Sequence, residues 1–147
     1  MKVGFTGTRE GMTPEQKGSF QKLIKDLGVT ELHHGDCVGA DSDAHDLSSV
    51  YIECHIHPCD FSHMRAYKET KPEFVYPIKP PLERNKDIVN FSDALIATPK
   101  ESYQVLRSGT WSTIRYANAI GKQVYLIIPN GKVIILPKEI NIMDFSK

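Results

Sequence analysis

Short apolar runs alternate with stretches of helical periodicity along this chain, and several of the runs leave through polar, glycine-containing turns. A chain patterned this way buries its runs as strands of a parallel sheet and lays its helices over both faces. Residues 2–6 read as a first strand that turns out through Gly7-Thr8-Arg9. Thr13-Pro14-Glu15-Gln16 then starts a helix: Thr13 caps, Pro14 takes the first helical position, and Gln16 completes a capping box. Phe20, Leu23, Ile24 and Leu27 fall at i, i+3, i+4 and i+7, one apolar face that Gly28 closes.

Residues 31–34 read as a short second strand, followed by the turn 35–41. A helix begins near Gly39, with Ala40, Ala44, Leu47 and Val50 on one face and Asp41, His45 and Ser48 on another. Residues 51–57 read as a third strand, stopped by Pro58. The segment 60–81 carries Pro72, Pro77, Pro80 and Pro81 and is longer than a minimal connection, so a functional or partly mobile loop is expected. A short helix over 82–91, a strand over 94–97 and a helix running to Gly121 follow. The strand 123–128 then turns through Pro129-Asn130-Gly131 into 133–136, a good hairpin signal. The expected fold is α/β: a Rossmann-like parallel sheet flanked by helices, with a C-terminal antiparallel hairpin at one edge, forming a single domain over 1–147.

In open sheets of this kind ligands bind beyond the carboxyl ends of the strands, where strand order reverses. The turns 7–9, 35–41 and 107–110 lie at three such ends and are expected to converge on one crevice. Ser108-Gly109-Thr110 falls at a helix N-terminus, where backbone amides lack partners and the helix dipole favours an anion. Gly109 admits a ligand to the backbone, Ser108 and Thr110 offer hydroxyls, and Arg107 supplies charge. Together they read as a phosphate cradle.

Lys plus Arg equals Asp plus Glu at 18 each, so the chain lacks the basic surplus usual in nucleic-acid binders. The first apolar run is too short for a signal peptide and no later run suits a membrane span, so a cytoplasmic protein is expected. Cys37, Cys54 and Cys59 form no disulfide framework. Cys54, His55, His57, Cys59 and His63 have metal-like spacing, but strand alternation sends Cys54 and His55 to opposite faces; no metal and no cofactor is expected. Cys37, in the glycine turn, has nothing nearby in sequence to activate it as a nucleophile. Trp111, Tyr103 and Tyr67 could stack on a base, although Trp111 in the first turn of a sheet-packing helix also reads as core.

Gly7-Thr8-Arg9, Gly35-x-x-x-Gly39-Ala40-Asp41, Arg84-Asn85 and Ser108-Gly109-Thr110, in that order, resemble the SLOG superfamily, which unites DNA-processing Smf proteins with Lonely Guy phosphoribohydrolases. The resemblance covers residues 3 to about 128 and is strongest to the small stand-alone members. It implies a Rossmann-like domain that binds nucleotides or nucleotide-derived molecules, as a hydrolase or a sensor, and commonly as a homo-oligomer. In the hydrolases a Pro-Gly-Gly-x-Gly-Thr-x-x-Glu motif binds phosphate and supplies a carboxylate. Gly109-Thr110 matches its Gly-Thr, while the glutamate position falls on Thr113. Arg84 matches the arginine of a preceding helix.

N-glycosidic cleavage passes through an oxocarbenium-like state that a nearby carboxylate stabilises. With Thr113 unable to serve, the remaining acids are Asp36, Asp41, Glu83 and Asp93, of which Asp41 best fits a crevice-facing first turn. Its other reading is a bond to loop amides. Arg9, Arg84, Arg107 and Arg115 are the phosphate clamps on offer. Arg9 and Arg84 carry the resemblance, and Arg84 is expected to bind ligand without supporting stability. The function expected is binding of a nucleotide or nucleotide-derived small molecule as a sensor. The alternative is an N-glycosidase using Asp41 and Arg84 to release free base.

Overall fold

Residues 94–98 are small or apolar throughout because both sides of the strand they form are covered: every position of β4 (Ala94–Thr98) is buried. The structure, a computed structural model, describes residues 1–136 and 144–147; residues 137–143 of the expected domain lie outside the described residues. Around β4 stand β1 (Lys2–Gly7), β2 (Glu31–His34), β3 (Glu53–Ile56), β5 (Gln123–Ile127) and β6 (Val133–Leu136). They form one sheet in the order β3-β2-β1-β4-β5-β6. The first five strands are parallel, and β6 returns antiparallel to β5 across the Asn130-Gly131 turn. The chain thus winds outward from β1 to β3, crosses back to β4, and winds outward again. This is the α/β fold expected, and its reversal point lies between β1 and β4.

α1 (Pro14–Asp26) and α2 (Ala40–Ser48) pack together on one face, and α3 (Pro81–Asn90) and α4 (Gly109–Ala119) on the other. Phe5, Phe20, Leu32, Ile96 and Ile127 fill the first layer, with Phe5 and Phe20 meeting edge to face at 5.5 Å. Leu95, Trp111, Ile114, Leu126 and Leu136 fill the second. Each such side chain contributes about 1.5–3 kcal/mol by leaving water, which is why short strands suffice here.

The local signals act as their chemistry dictates. Thr13 Oγ1 accepts from Gln16 N and Gln16 Oε1 accepts from Thr13 N, both at 3.0 Å. The buried Gln16 amide also donates to the carbonyls of Pro99 and Ile127, which ties α1 to the ends of β4 and β5. Gly28 and Gly121, at φ of 62° and 78°, follow α1 and α4 in the left-handed conformation.

Two expectations change. α2 stops at Ser48 with Ser49 as its cap, so Val50 is exposed rather than on the apolar face, and the strand begins at Glu53 instead of residue 51. Segment 60–81 is not a free loop. It runs along the outer edge of β3, where Tyr76 N donates to Ile56 O and Thr70 Oγ1 to Cys54 O. Its short 3-10 turns at Ser62–Met64 and Pro72–Phe74 place side chains over that edge, and the covering satisfies backbone groups an edge strand would expose. Among the described residues, no helix is long and apolar enough to cross a membrane.

Candidate functional site

Where β1 and β4 part, the chain leaves them on opposite faces and a cavity of about 440 Å³ opens beyond their carboxyl ends. Gly7, Thr8 and Arg9 line it from β1, Gly35 and Asp41 from the turn into α2, Arg84 and Asn85 from α3, and Arg107 to Thr110 from the turn into α4. The turns expected to converge do so. Asp36, Gly39 and Ala40 are outside the lining. Cys37 of the 35–41 turn lines it too, and so do Glu10, Pro81, Leu82, Lys100 and Glu101, which the sequence did not single out for the site.

Gly7 and Gly39 are needed for close approach. A Cβ on Gly7 would strike Thr98 Oγ1 and Ala40 Cβ, and one on Gly39, at φ 93°, would strike the backbone of Arg9. These contacts let the turn after β1 settle on the start of α2, where Ala40 N donates to Thr8 O at 2.9 Å.

The turn 35–41, whose residues were also expected to hold ligand, has little to offer a phosphate, because the amides of residues 35–38 are already paired. Asp41 Oδ2 accepts from the N–H of Gly35 and of Cys37, both at 3.1 Å. Asp36 N donates to His34 Nδ1, and Val38 N to Met64 O. Asp36 itself is fully buried at φ 56°, where its carboxylate takes Arg65 and the Lys68 N–H. It pins segment 65–68 and turns away from the cavity. Asp41 makes the loop-amide bonds that were one of its two readings, and it also lines the cavity. Burial raises its pKa to about 6, against the opposing pull of the Arg84 guanidinium.

Arg84 is the main correction. It is 6% exposed and donates through Nη1 to the carbonyls of Gly35 at 2.8 Å and His57 at 3.0 Å. Its Nε bonds Asn85 Oδ1, and its Nη2 reaches Cys37 Sγ. Gly35 leaves the room: a Cβ there would collide with the guanidinium. A residue fixed by two buried carbonyls supports the fold as well as touching the cavity. Burial also pushes the Cys37 thiol up to about 12, which leaves it protonated and unreactive at neutral pH.

The anion-ready end is α4. Ser108 is the N-cap, its Oγ accepting from Trp111 N at 3.2 Å, and Ser112 N takes Ser108 O. Those bonds leave the Gly109 and Thr110 amides as the first-turn donors without helical partners. A Cβ on Gly109 would meet nothing within 4 Å, so the backbone there faces open space. Arg9 and Arg107 are exposed at the cavity, and among the described residues neither forms an ion pair; Lys100 pairs with Glu10 at 3.0 Å.

Thr113 is buried and donates to Gly109 O, outside the cavity lining. Trp111 is core: it is fully buried, stacks on Phe145 and donates from Nε1 to Glu101. Tyr67 and Tyr103 do not line the cavity either, and Arg115 is not free in solvent but donates to Gln104 and the carbonyls of Val105 and Leu106.

The fold and site together define a Rossmann-like domain with a cavity at its strand-order reversal. No family model matches this chain, and no curated protein matches it. Among solved structures it is similar to the molybdenum cofactor binding protein from the phototrophic bacterium Rippkaea orientalis, at 23% identity and a TM-score of 0.59. The match covers 87% of this chain and 77% of that one. At this identity the likeness shows a shared fold.

Proposed function

We propose that the cavity binds a nucleotide or nucleotide-derived small molecule, with its phosphate on the N-terminus of α4. The observation that carries this reading is the set of Gly109 and Thr110 amides, left without helical partners and flanked at the reversal point by unneutralised Arg9 and Arg107. Helix N-termini and guanidinium groups bind phosphate together through charge-assisted hydrogen bonds. A volume of about 440 Å³ suits a nucleoside phosphate. A protein of like fold named for binding the molybdenum cofactor also favours a small-molecule ligand. The resemblance of its motif order to the SLOG superfamily favours the nucleotide class.

A second reading, an N-glycosidase, is favoured by one feature: the cavity-lining Asp41, whose pKa near 6 suits proton transfer near neutral pH. Incubation with nucleoside monophosphates, dinucleotides and cyclic nucleotides, read by calorimetry and mass-detected chromatography, separates the two. The binding module retains intact ligand with at least micromolar affinity. Multiple-turnover release of free base, abolished in Asp41→Asn, would replace the sensor with the enzyme. If no compound in the panel binds or reacts, the nucleotide reading fails.

A further inference from the structure

A second cluster of polar side chains lies on the α3 side of the sheet, away from the cavity. β2 and β3 run parallel in register, which sets Glu31 beside Glu53 and His33 beside His55. The His33 and His55 rings stack with centroids 4.5 Å apart. Glu31 Oε1 sits between them, 3.0 Å from His33 Nε2 and 3.4 Å from His55 Nε2. We propose that Glu31, His33 and His55 bind one divalent transition-metal ion of the zinc class.

The spacing fits. Ligand atoms about 2.0–2.1 Å from one tetrahedral Zn²⁺ lie roughly 3.3 Å from each other, and the three donors here all fall within 4.8 Å of one another. Small ring rotations suffice to close the set. Glu53 Oε1 lies 3.4 Å from His55 Nε2 on a side chain 56% exposed, which leaves it free to turn toward an ion held by the other three. It also marks the way in from solvent.

The outer contacts are those a metal-binding imidazole needs. His33 Nδ1 lies 2.8 Å from His57 Nε2, and His55 Nδ1 lies 2.9 Å from Tyr76 Oη. A proton on each Nδ1, donated outward, frees both Nε2 lone pairs toward Glu31. Phe74 stacks on His55 at 4.3 Å and Phe91 on His33 at 6.1 Å, which restricts both rings. Among the described residues the cation paired with these acids is Lys2, 3.9 Å from Glu31 Oε2 on a half-exposed side chain that can swing clear. Two imidazoles with one or two carboxylates suit Zn²⁺ over Mg²⁺ or Ca²⁺, which prefer all-oxygen sites.

The test is calorimetric titration of the chelator-treated protein with Zn²⁺, together with the visible absorption of the Co²⁺ form. One ion should bind per chain with micromolar or tighter affinity. Glu31→Gln, isosteric and partly exposed, should weaken binding about 100-fold, and Tyr76→Phe about 10-fold. Glu15→Gln, exposed on α1 across the sheet, should leave zinc affinity unchanged, and zinc should raise the melting temperature of the wild type but not of Glu31→Gln. Absence of saturable binding at micromolar zinc would overturn the proposal. So would full affinity in Glu31→Gln, or a sulfur-to-cobalt charge-transfer band placing the ion on a cysteine.

Discussion

At the scale of single residues, Arg84 shows what a motif cannot say. An arginine in the first turns of a helix reads as a ligand clamp, and from sequence it is indistinguishable from a brace. What decides is tertiary: Gly35 lacks the Cβ that would displace the guanidinium, and the carbonyls of Gly35 and His57 turn inward to accept from it. Arg84→Ala would orphan two buried acceptors and remove the charge facing Asp41, at about 3 kcal/mol. The melting temperature should fall by roughly 10 °C for a chain of this size. A thermal scan with no drop would return Arg84 to a purely ligand-binding role. The same limit applies to His33 and His55: nothing in either strand alone announces their pairing, because it depends on the register of β2 against β3.

At the scale of elements, the sequence was most legible where chemistry is local. The Thr13–Gln16 box, the Ser108 cap and the glycines after α1 and α4 act through neighbours a few residues away. The alternation of runs was equally plain, since strands buried on both faces must be apolar. That the turn into α2 spends most of its amides internally was not legible. Both α2 and α4 begin at a glycine-containing turn, but the amides leading into α2 are taken by Asp41 and His34 within the turn and by Met64 and Thr8, which the tertiary fold brings there. Two glycine substitutions separate the helices. Gly109→Ala adds a methyl into open space at the first helical position, so stability should hold within about 0.5 kcal/mol while affinity for a nucleoside phosphate falls at least tenfold. Gly39→Ala forces a left-handed residue against the Arg9 backbone and should cost on the order of 3 kcal/mol. Urea unfolding measures the stability of both variants, and calorimetry the affinity of the first. Equal affinities in Gly109→Ala and wild type would move the phosphate off α4.

At the scale of the whole molecule, net charge is zero, yet charge is not evenly spread: Arg9, Lys100 and Arg107 surround a cavity whose inner acid is Asp41. With that arrangement the proposed anion binding should depend on pH through Asp41. Burial raises the Asp41 pKa from 3.8 to about 6, so the folded protein holds a proton that the unfolded chain has released between those values. The stabilisation from that proton is complete below pH 3.8 and lost as pH rises through about 6, a span worth about 3 kcal/mol. For a bound anion the sign is the same. A carboxylate about 10 Å from a phosphate, at an effective dielectric near 20, repels it by about 1.7 kcal/mol, so affinity should fall roughly tenfold as pH rises from 5 to 7. The ligand should be a dinucleotide or a cyclic nucleotide, whose phosphodiester does not titrate in that range, whereas a monophosphate does. Asp41→Asn removes the titrating group and keeps one acceptor for the loop amides, so its affinity should be flat with pH and match the low-pH value of the wild type. An unchanged slope in Asp41→Asn would mean that the acid controlling the cavity is another one, and Glu10 and Glu101 at its rim would be next to test.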